Sequence, residues 1–141
     1  MGVRLIKPPQ SLIRSNIKSI KIFLAGSIDM GSAVDWQKET VEFFNNYHKG
    51  LDRSGVENLN IDIFNPRRDE WDSSWKQDIE NPYFYQQVNW ELNALDKSDW
   101  ILMHFSEDSL SPISLLELGL YAKSNKMIVS CPEKFWRNGN V

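Results

Sequence analysis

A single glutamate interrupts an apolar stretch near the end of the chain. Glu117 stands between Leu115-Leu116 and Leu118-Gly119-Leu120, where we expect a helix to begin. A charged side chain ordinarily lies on the polar face of a helix, so a glutamate among leucines indicates a specific role. Ser114 supplies a structural alternative, because Ser and Glu three residues apart can form a capping box. The two roles are compatible, and position alone leaves both open.

The chemistry that Glu117 could perform is nucleophilic attack on the anomeric carbon of a sugar. A helix N-terminus favours the ionised carboxylate that such an attack requires. Retention of configuration at the sugar also needs a second carboxylic acid, which protonates the departing group. Glu91 is the candidate for this acid, with Asn89 as a polar neighbour, and an ordinary exposed helix carboxylate is the structural alternative.

Two further features could bind a ligand. The turn Gly26-Ser27-Ile28-Asp29-Met30-Gly31 would let a ligand approach the backbone closely, although its two glycines do not make a P-loop. Trp36 could stack on a nucleobase, or it could simply pack in the core. Both features need a strand before them to hold them in place.

The order of strands and helices predicts where these residues lie. Apolar runs predict strands at 20–25, 59–64, 100–105 and 127–131, and helical spacing predicts helices at 33–47, at 83–97 and from Ser114 onward. This alternation predicts a parallel sheet with right-handed crossovers, hence a three-layer α/β/α, Rossmann/flavodoxin-like fold. Ligands bind beyond the carboxyl ends of such strands, so the turns at 26–31, 65–71 and 105–117 form the expected site.

Composition limits the domains and partners. The 141 residues fit one domain, which we expect at 20–141, after a flexible N-terminal extension or an edge extension at 1–19. A net charge of −3 and a pI of about 5.4 give no electrostatic reason to bind a nucleic-acid polymer. No apolar run approaches the ~20 residues that cross a bilayer, so we expect a cytoplasmic protein. Cys131 is the single cysteine and the two histidines are far apart, so we expect neither metal nor cofactor.

Three segments share a recognisable order and spacing. They are Phe23-Leu24-Ala25-Gly26-Ser27, Phe64-Asn65-Pro66-Arg67-Arg68 and Ser111-Pro112-Ile113-Ser114-Leu115-Leu116-Glu117-Leu118-Gly119. Together they resemble the signature segments of the nucleoside 2-deoxyribosyltransferase-like family. The resemblance runs from about residue 20 to the C-terminus and implies the same three-layer fold.

The resemblance also implies a reaction and a site. Glu117 would attack C1′ of a 2′-deoxynucleoside to leave a deoxyribosyl-enzyme, which a second nucleobase captures, and Glu91 would contact the base and donate a proton. The other positions expected to bind substrate are Phe23, Gly26, Ser27, Asp29, Trp36, Asn65, Arg67, Asp69, Asn89, Ser111, Ser114 and Asn140. The turn around Gly26 would shape the sugar pocket, and Asn65, Arg67 and Asp69 would line its entrance.

Some of these positions depart from the family pattern. Phe23 stands where characterised transferases carry a tyrosine that orients the nucleophile, and Ser111 stands where they have a sugar-binding aspartate. Asp29 replaces an arginine of the related deoxynucleoside 5′-monophosphate N-glycosidases, which favours a nucleoside substrate unless Arg67 or Arg68 supplies the missing charge. Asn140 resembles an asparagine that reaches into a neighbouring subunit's site, which implies a homodimer or larger homo-oligomer.

The leading hypothesis is therefore a nucleoside 2-deoxyribosyltransferase of nucleotide salvage. An N-glycosidase would use the same nucleophile and pass the sugar to water instead of a base. A non-catalytic module that senses a nucleoside or nucleotide would keep the fold without turnover. The positions that depart from the family pattern keep this third hypothesis open.

Overall fold

A parallel sheet forms the centre of the protein. The computed structural model describes residues 2–13, 16–28, 34–54 and 59–141. Within them five strands pair in the order β1-β3-β2-β4-β5: β1 Val3–Ile6, β2 Ile20–Gly26, β3 Ile61–Phe64, β4 Trp100–His104 and β5 Met127–Ser130. Every pair is parallel. The helices are α1 Trp36–Arg53, α2 Pro82–Lys97 and α3 Pro112–Tyr121, with short 3₁₀ turns at Ala122–Ser124 and Asn138–Asn140.

Helices cover the sheet on both faces. On one face α1 packs over Ile22, Leu24 and Ile63, whose side chains are buried. On the other face α2 contributes Trp90, Ala94 and Leu95 to a larger cluster, and α3 adds Leu115 and Leu118. A strand that is buried on both faces has apolar residues at successive positions, as at 22–25. The three-layer α/β/α prediction is therefore confirmed, and the predicted strands and helices are found with ends shifted by a few residues.

The start of α3 differs from the prediction. Ser111 is the N-cap residue and Pro112 opens the helix, so Ser114 lies inside the first turn and caps nothing. The capping-box interpretation of Ser114 and Glu117 was therefore wrong. Pro112 explains the earlier start, because a proline fits the first helical position, where its missing N–H is not needed. Glu117 is the sixth residue of α3, one turn later than expected.

Part of the N-terminal segment belongs to the sheet. Val3–Ile6 form the edge strand β1, which pairs in register with β3, and Ile6 is buried in the core. Of the two expectations for residues 1–19, these four residues fit an edge extension and not a flexible arm. The sequence signal was weak because the strand has four residues and its partner β3 lies far along the chain. In the described part of the chain, no helix is long and apolar enough to cross a membrane.

Candidate active site

The end of β2 is held against β4 by a glycine. Gly26 has φ of 130°, a conformation that L side chains rarely adopt, and a Cβ there would lie 2.0 Å from the carbonyl oxygen of His104. This close approach lets the backbone N–H of Ser27 donate to the same carbonyl at 2.9 Å. The predicted turn at Gly26 thus has a backbone reason, and it fixes Ser27 at the carboxyl edge of the sheet.

A group of buried serines fills this edge between β2 and α3. The hydroxyl of Ser27 lies 2.6 Å from that of Ser111, which lies 2.7 Å from that of Ser109. Ser27 Oγ also accepts a hydrogen bond from the backbone N–H of Ser106 at 2.8 Å. Ser27 and Ser111, predicted from segments distant in sequence, are therefore in direct contact. Ser109 completes the group and was not predicted.

The two predicted acids lie close enough to influence each other. Glu91 extends from α2 and Glu117 from α3, on the face of the sheet that both helices cover. Burial raises the pKa of Glu91 to about 7, although a hydrogen bond from Gln87 opposes the shift. Burial, and to a smaller extent the neighbouring charge of Glu91, raises the pKa of Glu117 to about 8. Two such carboxyls hold one proton between them near neutral pH.

The hydrogen bonds of the two acids differ. Gln87 Nε2 donates to Glu91 Oε1 at 2.8 Å and to the carbonyl oxygen of Pro66, also at 2.8 Å. Glu117 Oε2, in contrast, is buried and has no hydrogen-bond partner among the described residues. Phe23, which lies fully buried beneath this region, has no hydroxyl to offer. The nucleophile candidate thus has an acceptor atom that is unpaired in the absence of a ligand.

Other unpaired polar atoms lie around the same edge of the sheet. Among the described residues, the buried side-chain atoms without a hydrogen-bond partner are Gln37 Nε2, Arg67 Nε, Arg68 Nε, Gln87 Oε1 and Glu117 Oε2. They include nitrogen donors after β3 and on α1, and oxygen acceptors on α2 and α3. Buried polar groups are normally paired, so such a concentration is typical of a site that a polar ligand completes.

Asn65 and Arg67 lie where the prediction placed them, directly after β3. Asn65 is buried and its Oδ1 accepts the backbone N–H of Arg67 at 3.0 Å. The guanidinium of Arg67 donates to Gln37 Oε1 at 3.3 Å, and its Nε lies 3.7 Å from Asp35 Oδ1. Arg67 therefore already has an anionic partner within the chain.

Four predicted residues do not reach the acid pair within this chain. The indole of Trp36 donates to the carbonyl of Ser27, and its ring contacts His104 on the α1 face. Asp69 is exposed and pairs with Lys7 at 2.7 Å. The two that remain are Asn89, which donates to Tyr85 O of its own helix, and Asn140, which is exposed in the C-terminal 3₁₀ turn.

The position of Asn89 follows from helix geometry, because residues two apart point to nearly opposite sides of a helix, and Asn89 therefore points away from Glu91. Asp29, predicted to bind substrate, lies outside the described residues. Ser114 is buried in the first turn of α3.

Sequence reasoning missed two polar residues near the acids, Gln87 and Tyr121, and a third, Gln37, which accepts a hydrogen bond from Arg67. Gln87 lies four residues before Glu91 on α2, and Tyr121 lies four residues after Glu117 on α3, so helical spacing alone could have indicated both. Tyr121 donates its hydroxyl to Asp96. Burial, and to a smaller extent this hydrogen bond, raises the pKa of Tyr121 to about 12. Gln37 carried no such signal. Within the described residues, no three His, Cys, Asp or Glu side chains are grouped to hold a metal ion.

The fold and the acid pair define an α/β protein with a site at the carboxyl edge of a parallel sheet. A family model described as nucleoside 2-deoxyribosyltransferase like matches residues 19–135. The match covers most of the chain, which therefore belongs to this family, and the resemblance of the three segments is confirmed. No curated protein matches the sequence significantly.

Proposed function

We propose that the protein transfers a 2-deoxyribosyl group between nucleobases through a covalent intermediate on Glu117. The observation that carries the proposal is the pair of half-buried carboxyls, Glu91 and Glu117, whose pKa values are raised to about 7 and about 8. Retaining glycosyl transfer needs one ionised and one protonated carboxyl at the same time. A pair that shares one proton near neutral pH meets this requirement.

In the first step, an ionised oxygen of Glu117 forms a bond to C1′ of the nucleoside while the bond from C1′ to the base nitrogen breaks. The base takes the electron pair of the broken bond and receives the proton of Glu91. In the second step, a nitrogen of the incoming base attacks C1′, returns its proton to Glu91 and releases Glu117 as a carboxylate. Charge and protons balance over the two steps, so neither a metal nor another cofactor is required.

The polar groups of the edge support a neutral nucleoside as the donor. The hydroxyls of Ser27 and Ser111 can exchange hydrogen bonds with sugar hydroxyls, and Asn65 stands at the end of the adjacent strand. A 5′-phosphate would need a cation, but Arg67 already lies beside Asp35, and Arg68 already contacts Gln86 and the ring of Trp75. We therefore propose that nucleosides are preferred to their 5′-monophosphates, and that the reaction serves nucleotide salvage in the cytoplasm.

A mixed-base assay tests the transfer. The protein is incubated with a deoxynucleoside and a different free base, and the products are separated by chromatography. We expect the new deoxynucleoside to appear and to require both substrates. Free deoxyribose as the only sugar product would identify an N-glycosidase, the second candidate, since the same Glu117 intermediate can pass its sugar to water.

Trapping of the intermediate separates catalysis from sensing. A 2-fluoro-2-deoxynucleoside should slow release of the sugar and leave an adduct on Glu117, which peptide mass spectrometry would detect. The Glu117→Gln protein is the matched control, because it keeps the size and polarity of the side chain but lacks the charge. Thermal stabilisation by nucleosides without any adduct or product would favour a non-catalytic sensing module instead.

We also propose that the active unit is a homodimer. Helix α3 exposes an apolar stripe of Ile113, Leu116 and Leu120, each more than half exposed, and the exposed Trp136 donates to the carbonyl of Leu110 just before this helix. Exposed apolar stripes of this kind are typical of protein interfaces. The C-terminal turn that carries Asn140 follows Trp136 closely, so a partner that packs on the stripe would meet this asparagine.

Complementation tests the shared site. Glu117→Gln and Asn140→Ala proteins are each expected to have little activity, and mixing them after subunit exchange should restore about a quarter of the wild-type rate, because a mixed dimer contains one intact site. A Leu116→Asp protein should be monomeric by light scattering. Full activity of a monomeric protein would contradict the proposal.

A further inference from the structure

Glu91 and Glu117 lie close enough for the charge of one to act on the other, but they have unequal hydrogen-bond partners. Glu91 accepts a hydrogen bond from Gln87, whereas a buried oxygen of Glu117 accepts none from the described residues. From this difference we propose that Gln87 keeps Glu91 ionised in the ligand-free protein and thereby leaves the shared proton on Glu117. Gln87 would be a positioning residue, because it acts through Glu91 and sets the charge of the nucleophile.

The amide of Gln87 is fixed in one orientation by its second bond. Its Nε2 donates to the carbonyl oxygen of Pro66 at 2.8 Å as well as to Glu91 at 2.8 Å. A flipped amide would turn its oxygen towards both acceptors and lose both bonds. Glu91 therefore meets only the N–H donor of the Gln87 amide and not its carbonyl oxygen. Such a donor favours the ionised form of a carboxyl group.

Glu117 has no comparable donor among the groups that surround it in the described part of the chain. From α2 it faces Glu91, whose negative charge opposes its ionisation. On α3 itself the nearest titratable group is Tyr121, but its hydroxyl donates to Asp96.

The basic side chains after β3 are directed elsewhere. Arg67 reaches Asp35 and Gln37, and Arg68 reaches Gln86 and the ring of Trp75. His104 contacts Trp36 on the opposite face of the sheet. The surroundings therefore favour a protonated Glu117, in agreement with the higher pKa of this residue, about 8 against about 7 for Glu91.

This order is the reverse of the one that the proposed reaction needs. Attack on C1′ requires an ionised Glu117 and a protonated Glu91. A nucleobase nitrogen that accepts a hydrogen bond from Glu91 would favour the protonated form of Glu91, so the arrival of substrate would move the proton off Glu117. This consequence rests on the proposed function, whereas the position of the proton in the ligand-free protein does not.

Carboxyl ¹³C NMR tests the proton order directly. The protein is labelled at the glutamate side-chain carboxyl carbon and titrated without ligand, and Glu91→Gln and Glu117→Gln proteins assign the two resonances. We expect Glu91 to ionise at the lower pH. In a Gln87→Leu protein the midpoint of Glu91 should rise by roughly one to two pH units, so that Glu117 ionises first.

The neighbouring amide supplies a matched control. Gln86→Leu removes a surface bond to Arg68 and should leave the order unchanged. If Gln87→Leu does not fold, Gln87→Met offers a second protein, because it keeps the length of the side chain, lacks the donor and should show the same inverted order. A wild-type protein in which Glu117 ionises first, or a Gln87→Leu protein with unchanged order, would overturn the inference. An inactive protein with the expected order would refute the proposed function alone.

Discussion

Two acidic residues of the sheet and its covering helices, Asp62 and Glu117, differ in the hydrogen-bond partners of their carboxyl groups. Asp62 in β3 is fully buried and accepts hydrogen bonds from Arg4 Nε at 3.0 Å and from Ser19 Oγ at 2.7 Å. Glu117 in α3 has a buried oxygen that accepts none from the described residues, and the charge that acts on it belongs to another acid, Glu91. The described part of the chain therefore satisfies one carboxylate and leaves an oxygen of the other unpaired.

Under the proposed function, the difference separates a structural carboxylate, Asp62, from a functional one, Glu117. Paired burial stabilises the ionised form, and Asp62 fastens the N-terminal strand to the sheet through Arg4. Unpaired burial costs stability but keeps a reactive group poised. Substitutions at the two positions should therefore have opposite consequences.

The largest effect is expected on turnover. Glu117→Gln removes the nucleophile while keeping the size of the side chain, so kcat/KM for deoxynucleosides should fall at least roughly 1,000-fold. Steady-state rates with equal amounts of folded protein measure the loss. Turnover close to that of the wild type would sink the assignment of Glu117.

The next largest effect is expected on stability at the other carboxylate. Asp62→Asn leaves the Arg4 guanidinium without its anion and should lower the free energy of unfolding by about 3 kcal/mol. Urea denaturation at pH 7 measures it. The control is Asp69→Asn, at a largely exposed carboxylate paired with Lys7, where the change should stay within about 0.5 kcal/mol. Equal losses in the two proteins would contradict a structural role for Asp62.

Glu117→Gln should in turn stabilise the protein at alkaline pH. The pKa of Glu117 is raised to about 8 in the folded protein, so the folded protein favours the protonated form of this group. The resulting contribution to the free energy of unfolding is fully present below the ordinary glutamate pKa and is lost as pH rises through about 8. At pH 9 the variant should exceed the wild type by roughly 2 kcal/mol, after allowance for partial solvation. At pH 4 the difference should vanish. Melting curves at both pH values measure this, with the surface variant Glu107→Gln as control.

The smallest effect concerns the pH dependence of the rate. Below about 7 both carboxyls are protonated and no nucleophile remains, and above about 8 both are ionised and no acid remains. The profile of kcat/KM should therefore be bell-shaped with its maximum between these values, and it should fall roughly tenfold for each further pH unit. A rate that stays constant from pH 5 to pH 9 would exclude the acid pair as the reacting groups.

Much of the fold follows from local sequence patterns. The apolar run at 20–25 and the helical spacing at 83–97 each fix an element, since burial on both faces or on one stripe needs that periodicity. The edge strand at Val3–Ile6 could not be predicted in the same way, because its stability depends on pairing with β3 and on the bond from Arg4 to Asp62.

The sequence by itself determined the alternation of strands and helices, the family segments and the two glutamates, because these depend on residue type and spacing along the chain. Only the tertiary structure decided that Ser27 contacts Ser111, that Ser111 rather than Ser114 is the N-cap residue of α3, and that Gln87 bonds one acid and not the other. Hydrogen-bond partners and burial arise when distant segments meet at one edge of the sheet. For that reason the unusual environment of Glu117 became visible only in the folded chain.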